Sequence, residues 1–210
     1  LISRREGLDG ALALRAATEA QSHIGMATRL ATDEAARARR STSMDLVLGV
    51  TTVSGAVRTA AKLLELATED ATALGERTDQ EERDALLTSL GVAPGGAVPS
   101  ALRSQVKSLE EDQKRRKTRN LRDALDRILV DVMSILRDVL MVQVNTGLSF
   151  INVTHGPAIE ERAAATTPEM TLAALDATRE ARERIAHNSP PLLVLEALLI
   201  SLSPAVKGRV

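Results

Sequence analysis

Apolar and polar residues recur with the period of a helix along almost the whole chain. Ala, Leu, Arg and Glu dominate, and runs of β-branched residues are short. The spacing predicts amphipathic helices over about 9–20, 23–31 and 33–48, with Asp9 and Ser22 as N-caps of the first two. The third segment begins with the polar run "DEAARARR", so we expect its start to be exposed or to serve as a connector. The pattern predicts an all-α protein.

The pattern breaks after Gly49, and we expect a domain boundary near 48–52. Apolar positions at helical spacing then resume at Val57, Ala60, Ala61, Leu64 and Ala67. "TDQE" at 78–81 has the form of a capping box and predicts a new helix that ends at Gly91. "GVAPGGAVPS" at 91–100 is rich in Gly and Pro and predicts a loop.

A long helix is predicted from about 101 to 144. Its second half carries large aliphatic residues at three- and four-residue steps, each worth ~1.5–3 kcal/mol when fully buried. They are Leu121, Leu125, Ile128, Leu129, Val132, Ile135, Leu136, Val139 and Leu140. A helix is then predicted to start near Pro157, and another to run from Pro168 to His187 before "NSPP". The last helix, "LLVLEALLISL" at 192–202, is apolar on almost every side and is expected to be deeply buried.

The start of the long helix carries a basic run, which we define as Lys114, Arg115, Arg116, Lys117, Arg119 and Arg122. It invites three interpretations, namely a solvated helix face, a protein contact or a direct contact with DNA. Acidic residues stand four positions from several of these cations, and each such pair contributes ~0.2–0.5 kcal/mol. The pairs are Glu110–Lys114, Glu111–Arg115, Asp112–Arg116, Arg119–Asp123 and Arg122–Asp126. Phe150 is the single aromatic residue, so side chains for stacking bases are lacking and the solvated face is favoured.

The composition of the chain excludes several further classes of function. The 27 basic and 28 acidic residues nearly cancel, so no net field attracts phosphates or an anionic membrane. Cys is absent, which excludes disulfides and thiol chemistry and fits a cytoplasmic location. No window reaches the ~20 apolar residues of a membrane span, and nothing resembles a signal peptide. The chain begins without Met and enters a helical pattern at once, so we expect a fragment of a longer protein.

No catalytic pattern is present. The phosphate-binding, dinucleotide-binding and zinc-protease motifs are missing. His23, His155 and His187 stand far apart on different predicted elements. Asp131 and Asp138 share a helix face, but each has an Arg nearby, which favours a salt-bridged face over acid–base catalysis. From the residues alone we expect a helical interaction module with no catalytic site, no cofactor and no metal.

Three stretches resemble delta-prime subunits of the bacterial DNA polymerase III clamp loader, of the actinobacterial type. "EAQSHIGMATRLATDEAARARR" (19–40) resembles the end of the small helical lid of an AAA+ module. "KSLEEDQKRRKTRNLRDALDRILVDVMSILRDVL" (107–140) resembles the central helix of the C-terminal collar domain, and "ALDATREARERIAHNSPPLLVLEALLISL" (174–202) resembles its closing helices. The three stretches are distributed over 8–202, whereas 66–100 matches weakly, and Ile135 and Leu136 stand where the family has aromatics.

The resemblance implies an AAA+ lid remnant at 1–49 and a helical-bundle collar, an oligomerisation domain, at 50–210. It implies a non-hydrolysing structural subunit that assembles with delta and gamma/tau through the collar. The assembled loader places the sliding clamp on primed DNA during replication, so clamp and DNA are expected as partners only through the full complex. The AAA+ nucleotide-binding domain that precedes the lid in this family is missing from the chain, and with it the arginine finger.

The lid also bears on nucleotide chemistry. ATP-hydrolysing relatives carry a sensor-2 Arg in a G-S-x-R-x-A pattern, and alignment with "SHIGMA" (22–27) places Gly25 at that Arg position. Glycine offers no charge to a γ-phosphate, which agrees with a non-hydrolysing member. Two alternatives stay open: the lid and collar of an ATP-hydrolysing gamma/tau-type subunit, and an unrelated helical nucleic-acid-binding module.

Overall fold

A computed structural model of the protein describes residues 9–21, 23–92 and 99–203. Within these ranges the chain is all-α, with eight α-helices, two short 3-10 helices and no β-strand. The α-helices are α1 (Gly10–Glu19), α2 (Ile24–Thr32), α3 (Glu34–Leu48), α4 (Val53–Ser89), α5 (Arg103–Gln143), α6 (Gly156–Ala165), α7 (Pro168–Ala186) and α8 (Pro191–Leu202). The 3-10 helices are Ser100–Leu102, before α5, and Val153–His155, before α6. The prediction of an all-α protein is confirmed.

Side chains cap the first three helices at their N-termini. The Asp9 carboxylate accepts from the backbone N–H of Leu12, as predicted for α1. At α2 the cap is His23, whose Nδ1 accepts from Met26 N at 3.2 Å. The predicted cap, Ser22, lies outside the described residues. Because the helix begins one residue later than the pattern suggested, the imidazole occupies the capping position.

The prediction that "TDQE" opens a new helix is wrong, because α4 runs without interruption from Val53 to Ser89. Thr78 therefore lies inside a helix rather than at its start. Gln80 donates to Asp84 four residues later at 3.0 Å, a contact that belongs to a continuing helix. The capping pattern is overridden because the helix is already propagating, and adding a turn to it costs less than nucleating another.

Three helices end next to a Gly or Asn residue that adopts a left-handed backbone conformation. Gly91 has φ +74°, and its N–H and that of Val92 donate to the carbonyls of Thr88 and Leu87 in a Schellman arrangement. This confirms the predicted end of α4 at Gly91. Asn145 and Asn188 take the same role after α5 and α7, with φ 52° and 65°.

The aliphatic stripe of α5 is buried as predicted. Leu125 and Leu129 are fully enclosed, and Leu121, Ile128 and Leu140 are half-buried. Further along, Ile135 and Val139 join Met44, Ile159 and Ala163 in one apolar cluster. Phe150 packs partly buried against this cluster, and its ring lies 3.5 Å from where a Cβ on Gly156 would stand.

Two burial predictions need correction. The polar start of the third helix is only partly exposed, because Ala36 and Arg40 of α3 are buried while Glu34 and Ala35 are exposed. Carboxylates from two other helices neutralise Arg40, which lets a charged residue face inward. The final helix is not buried on every side either, since Leu192 and Leu193 are exposed. Its buried face consists of Val194, Leu195, Leu198, Leu199 and Leu202.

The chain divides into two compact units. One combines the residues up to Leu66 with those from Arg127 onward, and the other spans Ala67–Asp126. The second unit consists of the end of α4 and the start of α5, with the segment that joins them. The predicted boundary near residue 49 separates a lid remnant from a collar by resemblance, and it stays a prediction.

Candidate functional site

The basic run lies on the part of α5 that belongs to the second unit, and its cations differ in what they contact. Arg116 reaches across to α4, where its Nη1 donates to Glu82 Oε1 and its Nη2 to Asp79 Oδ1, both at 2.8 Å. These contacts, the one to Glu82 first, raise the pKa of Arg116, and the same hydrogen bond lowers the pKa of Glu82. Arg116 therefore joins two helices and is not offered to a phosphate.

The predicted pairing within α5 is only partly correct. Arg115 lies within 4.0 Å of Glu111, as predicted, and closer to Asp112 at 3.3 Å. Glu110 is bound instead by Arg83 of α4 at 2.6 Å, and Asp112 does not pair with Arg116. Cross-helix partners displace the i,i+4 partners because they connect two elements that already pack together.

The remaining cations of the run stand on the surface of the second unit. Lys114 and Lys117 line an open groove with residues of α4, and Arg119 is exposed. The same groove holds the carboxylates of Asp79 and Glu110, so its charges are mixed. Arg122 is half-buried and has interaction partners. A mixed groove favours a polar protein contact or plain solvent over a polyanion.

Gly25 lies in the first turn of α2 and is exposed. A Cβ built there would stand 3.5 Å from His23 Cε1, in ordinary van der Waals contact. Glycine is therefore not required by crowding, and a side chain of any length could project from this turn. The structure around position 25 therefore does not require a glycine.

The histidines do not converge. His23 caps α2, His187 ends α7, and His155 is buried before α6. Among the described residues, no group of three or more His, Cys, Asp or Glu is arranged to hold a metal ion. None of the helices in the described ranges is long and apolar enough to cross a membrane.

Folding brings Ser41, Asp45 and His155 together, an arrangement that sequence reasoning did not anticipate. Ser41 Oγ and Asp45 Oδ1 both lie 3.4 Å from the same ring atom, His155 Nε2. A nucleophilic triad needs the acid on Nδ1, where it orients the ring and supports the base. Here Thr154 Oγ1 stands 3.2 Å from Nδ1 instead. The trio connects α3 to the segment before α6 and lacks the geometry of a nucleophile.

The largest buried polar group in the first unit also escaped prediction. We call it the Arg40 cluster: Glu19, Arg40, Asp131, Ser134, Asp138 and Asn152. The Arg40 guanidinium donates to Asp131 Oδ1 at 2.9 Å, to Glu19 Oε2 at 3.1 Å and to Asn152 Oδ1 at 2.7 Å. Its side chain is 7% exposed and that of Glu19 is 6% exposed. One cation thus holds together α1, α3, α5 and the segment after α5.

The second half of the Arg40 cluster is built around Asp138, which is fully buried. Its carboxylate accepts from the backbone N–H groups of Ile151 and Asn152 at 3.1 and 2.8 Å, and from Arg137 at 2.7 Å. Asn152 Nδ2 donates to Asp138 Oδ2 and to Ser134 Oγ. Asp138 thereby fixes the backbone that follows α5.

The first unit also exposes several large apolar side chains. Leu193 of α8 is 61% exposed, Leu172 of α7 is 51% exposed, and Leu148 between α5 and α6 is 57% exposed. Between α7 and α8 runs a shallow groove floored by Ala177, Ala181 and Val194. Exposed leucines of this kind mark contact surfaces when they cluster, and single ones are ordinary.

No family model, no curated protein and no solved structure matches the chain.

Proposed function

We propose that the chain is the lid and collar part of a delta-prime-type clamp-loader subunit, and that it acts as a structural, non-hydrolysing component. Its collar helices associate with gamma/tau and delta, and the assembled loader places the sliding clamp on primed DNA. The chief support is the resemblance of 107–140 to the central collar helix. That segment lies within one continuous helix, α5, whose second half is core.

The exposed apolar positions support an assembly role. Leu193 and Leu192 stand on α8, whose opposite face is enclosed by the first unit. A helix that is apolar on nearly every side but covered on one side only is suited to a second packing partner. In the proposed assembly this free face of α8 belongs to the subunit contact.

The lid part supports a non-hydrolysing role. The residue at the proposed sensor-2 position is Gly25, and the adjoining His23 caps α2 by accepting from Met26 N. Arg29, one turn later, lies within 3.9 Å of Asp33 Oδ2. In the proposed alignment a nucleotide held by this lid would meet Gly25 rather than an Arg at the sensor-2 position, and Arg29 faces Asp33.

Association with a gamma/tau collar domain tests the proposal. We expect the chain to co-purify with that domain at micromolar concentration, and Leu193→Asp to weaken the association by at least about tenfold, since a charge would have to be desolvated in the interface. Leu14→Asp is the matched control, because Leu14 of α1 is 70% exposed, against 61% for Leu193, but belongs to the proposed lid part.

Two outcomes count against the proposal. The first is that the wild-type chain does not associate at micromolar concentration although its circular dichroism spectrum shows that it is folded. The second is equal weakening by Leu193→Asp and Leu14→Asp, which would leave the free face of α8 without a special role.

A further inference from the structure

Helices α1 and α2 form a pair with a small core of their own. Its buried members are mostly alanines, namely Ala16, Ala20, Ala27, Leu30 and Ala31, with Ala17 and Met26 packed against them. This core is separate from the cluster around Ile135 and Ile159 that holds α3, α5 and α6. Alanine buries little area, so the apolar energy within this pair is modest.

The pair is attached to the rest of the first unit largely through polar contacts. Glu19 at the end of α1 receives the Arg40 guanidinium, and Arg15 of α1 also donates to Glu19 at 2.8 Å. At the other end of the pair, Arg37 Nη1 donates to the last carbonyls of α2, Leu30 O at 2.8 Å and Ala31 O at 3.2 Å. These contacts need defined geometry, so they are made together or lost together.

Asp33 is the position at which α1 and α2 could rotate relative to α3. It is the only residue between α2 and α3, its backbone is extended with φ −110° and ψ 103°, and its side chain caps α3 by accepting from Ala36 N at 3.0 Å. Helix α3 itself stays docked through Met44, which is 1% exposed in the apolar cluster. A rotation at Asp33 would lift α1 and α2 and leave α3 in place.

We propose that α1 and α2 are a hinged element that opens about Asp33, and that Arg40 holds it closed by binding Glu19 across to Asp131 and Asn152. This inference goes beyond the proposed function and does not depend on it, since it requires only the contacts of the first unit. Opening separates Glu19 from Arg40 and increases the exposure of the Asp131 side chain, which is 20% in the closed form.

Protonation of Asp131 supplies an independent readout. Its charged surroundings come from three helices: Arg40 of α3, Glu19 of α1 and Arg127 of α5 itself. Burial raises the pKa of Asp131 to about 6, against the favourable effect of Arg40. Opening hydrates the carboxylate and returns its pKa toward the ordinary value of 3.8. The closed form therefore binds a proton more readily than the open form, so raising the pH favours opening. The equilibrium constant for opening should rise by about tenfold between about pH 5 and about pH 7.

Hydrogen–deuterium exchange of the full chain tests the hinge. In Arg40→Lys, we expect amides of 13–32 to exchange at least about tenfold faster, because one ammonium nitrogen cannot span the three partners that Nε, Nη1 and Nη2 of Arg40 reach separately. Amides of 125–139 and 194–202 should keep their wild-type rates. Arg184→Lys is the matched control, since Arg184 of α7 makes an exposed pair with Glu180 and should leave 13–32 unchanged.

Glu19→Gln provides a milder second variant, because it keeps an acceptor for Arg40 and removes only the charge on α1. It should speed exchange in 13–32 by a smaller factor. In the wild type, the opening equilibrium corrected for intrinsic exchange should rise with pH, and Asp131→Asn should abolish that rise. Unchanged exchange in both Arg40→Lys and Glu19→Gln overturns the proposal, as does an equal acceleration of 13–32 and 125–139, which signals general destabilisation.

Discussion

At the scale of single residues, Arg40 is the side chain on which most of the buried polar structure depends. Its partners Glu19, Asp131 and Asn152 lie 21, 91 and 112 positions away in sequence. Local spacing carries no information about such contacts, so the polar start of α3 looked like an exposed connector. By contrast, the caps Asp9 and Gly91 act on their immediate neighbours, and those were predicted correctly from sequence.

Arg40→Leu tests how much Arg40 contributes to the stability of the protein. The substitution leaves two carboxylates and an amide without their cation in a buried site, so we expect a loss of ~3–5 kcal/mol in the free energy of unfolding. Arg39→Leu, one position along α3, removes a partly exposed cation that lies 3.7 Å from Asp33 and should cost less than about 1 kcal/mol. Urea denaturation of both variants gives the comparison, and similar losses would deny Arg40 its special role.

At the scale of elements, helix positions and most helix ends follow from apolar spacing, caps and left-handed Gly and Asn residues. The exceptions have a common cause, which is competition between a local signal and a longer-range one. The capping pattern at 78–81 lost to propagation of α4, and Glu110 and Arg116 took partners on the facing helix instead of along their own. The residues of the basic run were located correctly on one helix; of their predicted partners, Glu111 is correct for Arg115, whereas Glu110 and Arg116 pair with α4 instead.

Glycines of the second unit offer a matched pair of substitutions. Gly75 lies in mid-helix in α4, and an added Cβ would meet Asn120 Nδ2 at 3.7 Å, an ordinary contact. Gly75→Ala should therefore stabilise the protein by roughly 0.5–1 kcal/mol through backbone entropy. Gly91→Ala should destabilise it by a similar or larger amount, because φ there is +74°. Thermal unfolding measures both, and opposite signs are required.

At the scale of the whole molecule, a formal net charge of −1 and a mixed groove on the second unit argue against binding to polyanions. The six cations of the basic run are divided between cross-helix pairs, pairs along α5 and solvent. In the proposed function, the uneven covering of α8 serves association with another protein. That choice between partners depends on how charges pair in space, which composition alone does not reveal.

Binding to DNA gives a direct check at this scale. The isolated chain should not shift labelled primed DNA at about 0.15 M salt, because its charges nearly cancel and the groove beside Lys114 and Lys117 also holds carboxylates. Lys114→Glu combined with Lys117→Glu should leave that result unchanged. A shift with a steep salt dependence that the double variant abolishes would contradict this expectation and favour the nucleic-acid-binding alternative.

The packing of Phe150 against Gly156 and the apolar cluster has a practical consequence. With this ring as its single aromatic, the protein contains no indole or phenol and is nearly transparent in the near ultraviolet. Intrinsic fluorescence from any mixture with a candidate subunit therefore originates in that subunit alone. Phe150→Trp would place one emitting group at the edge of the core, so that unfolding and assembly could be followed separately in the same cuvette.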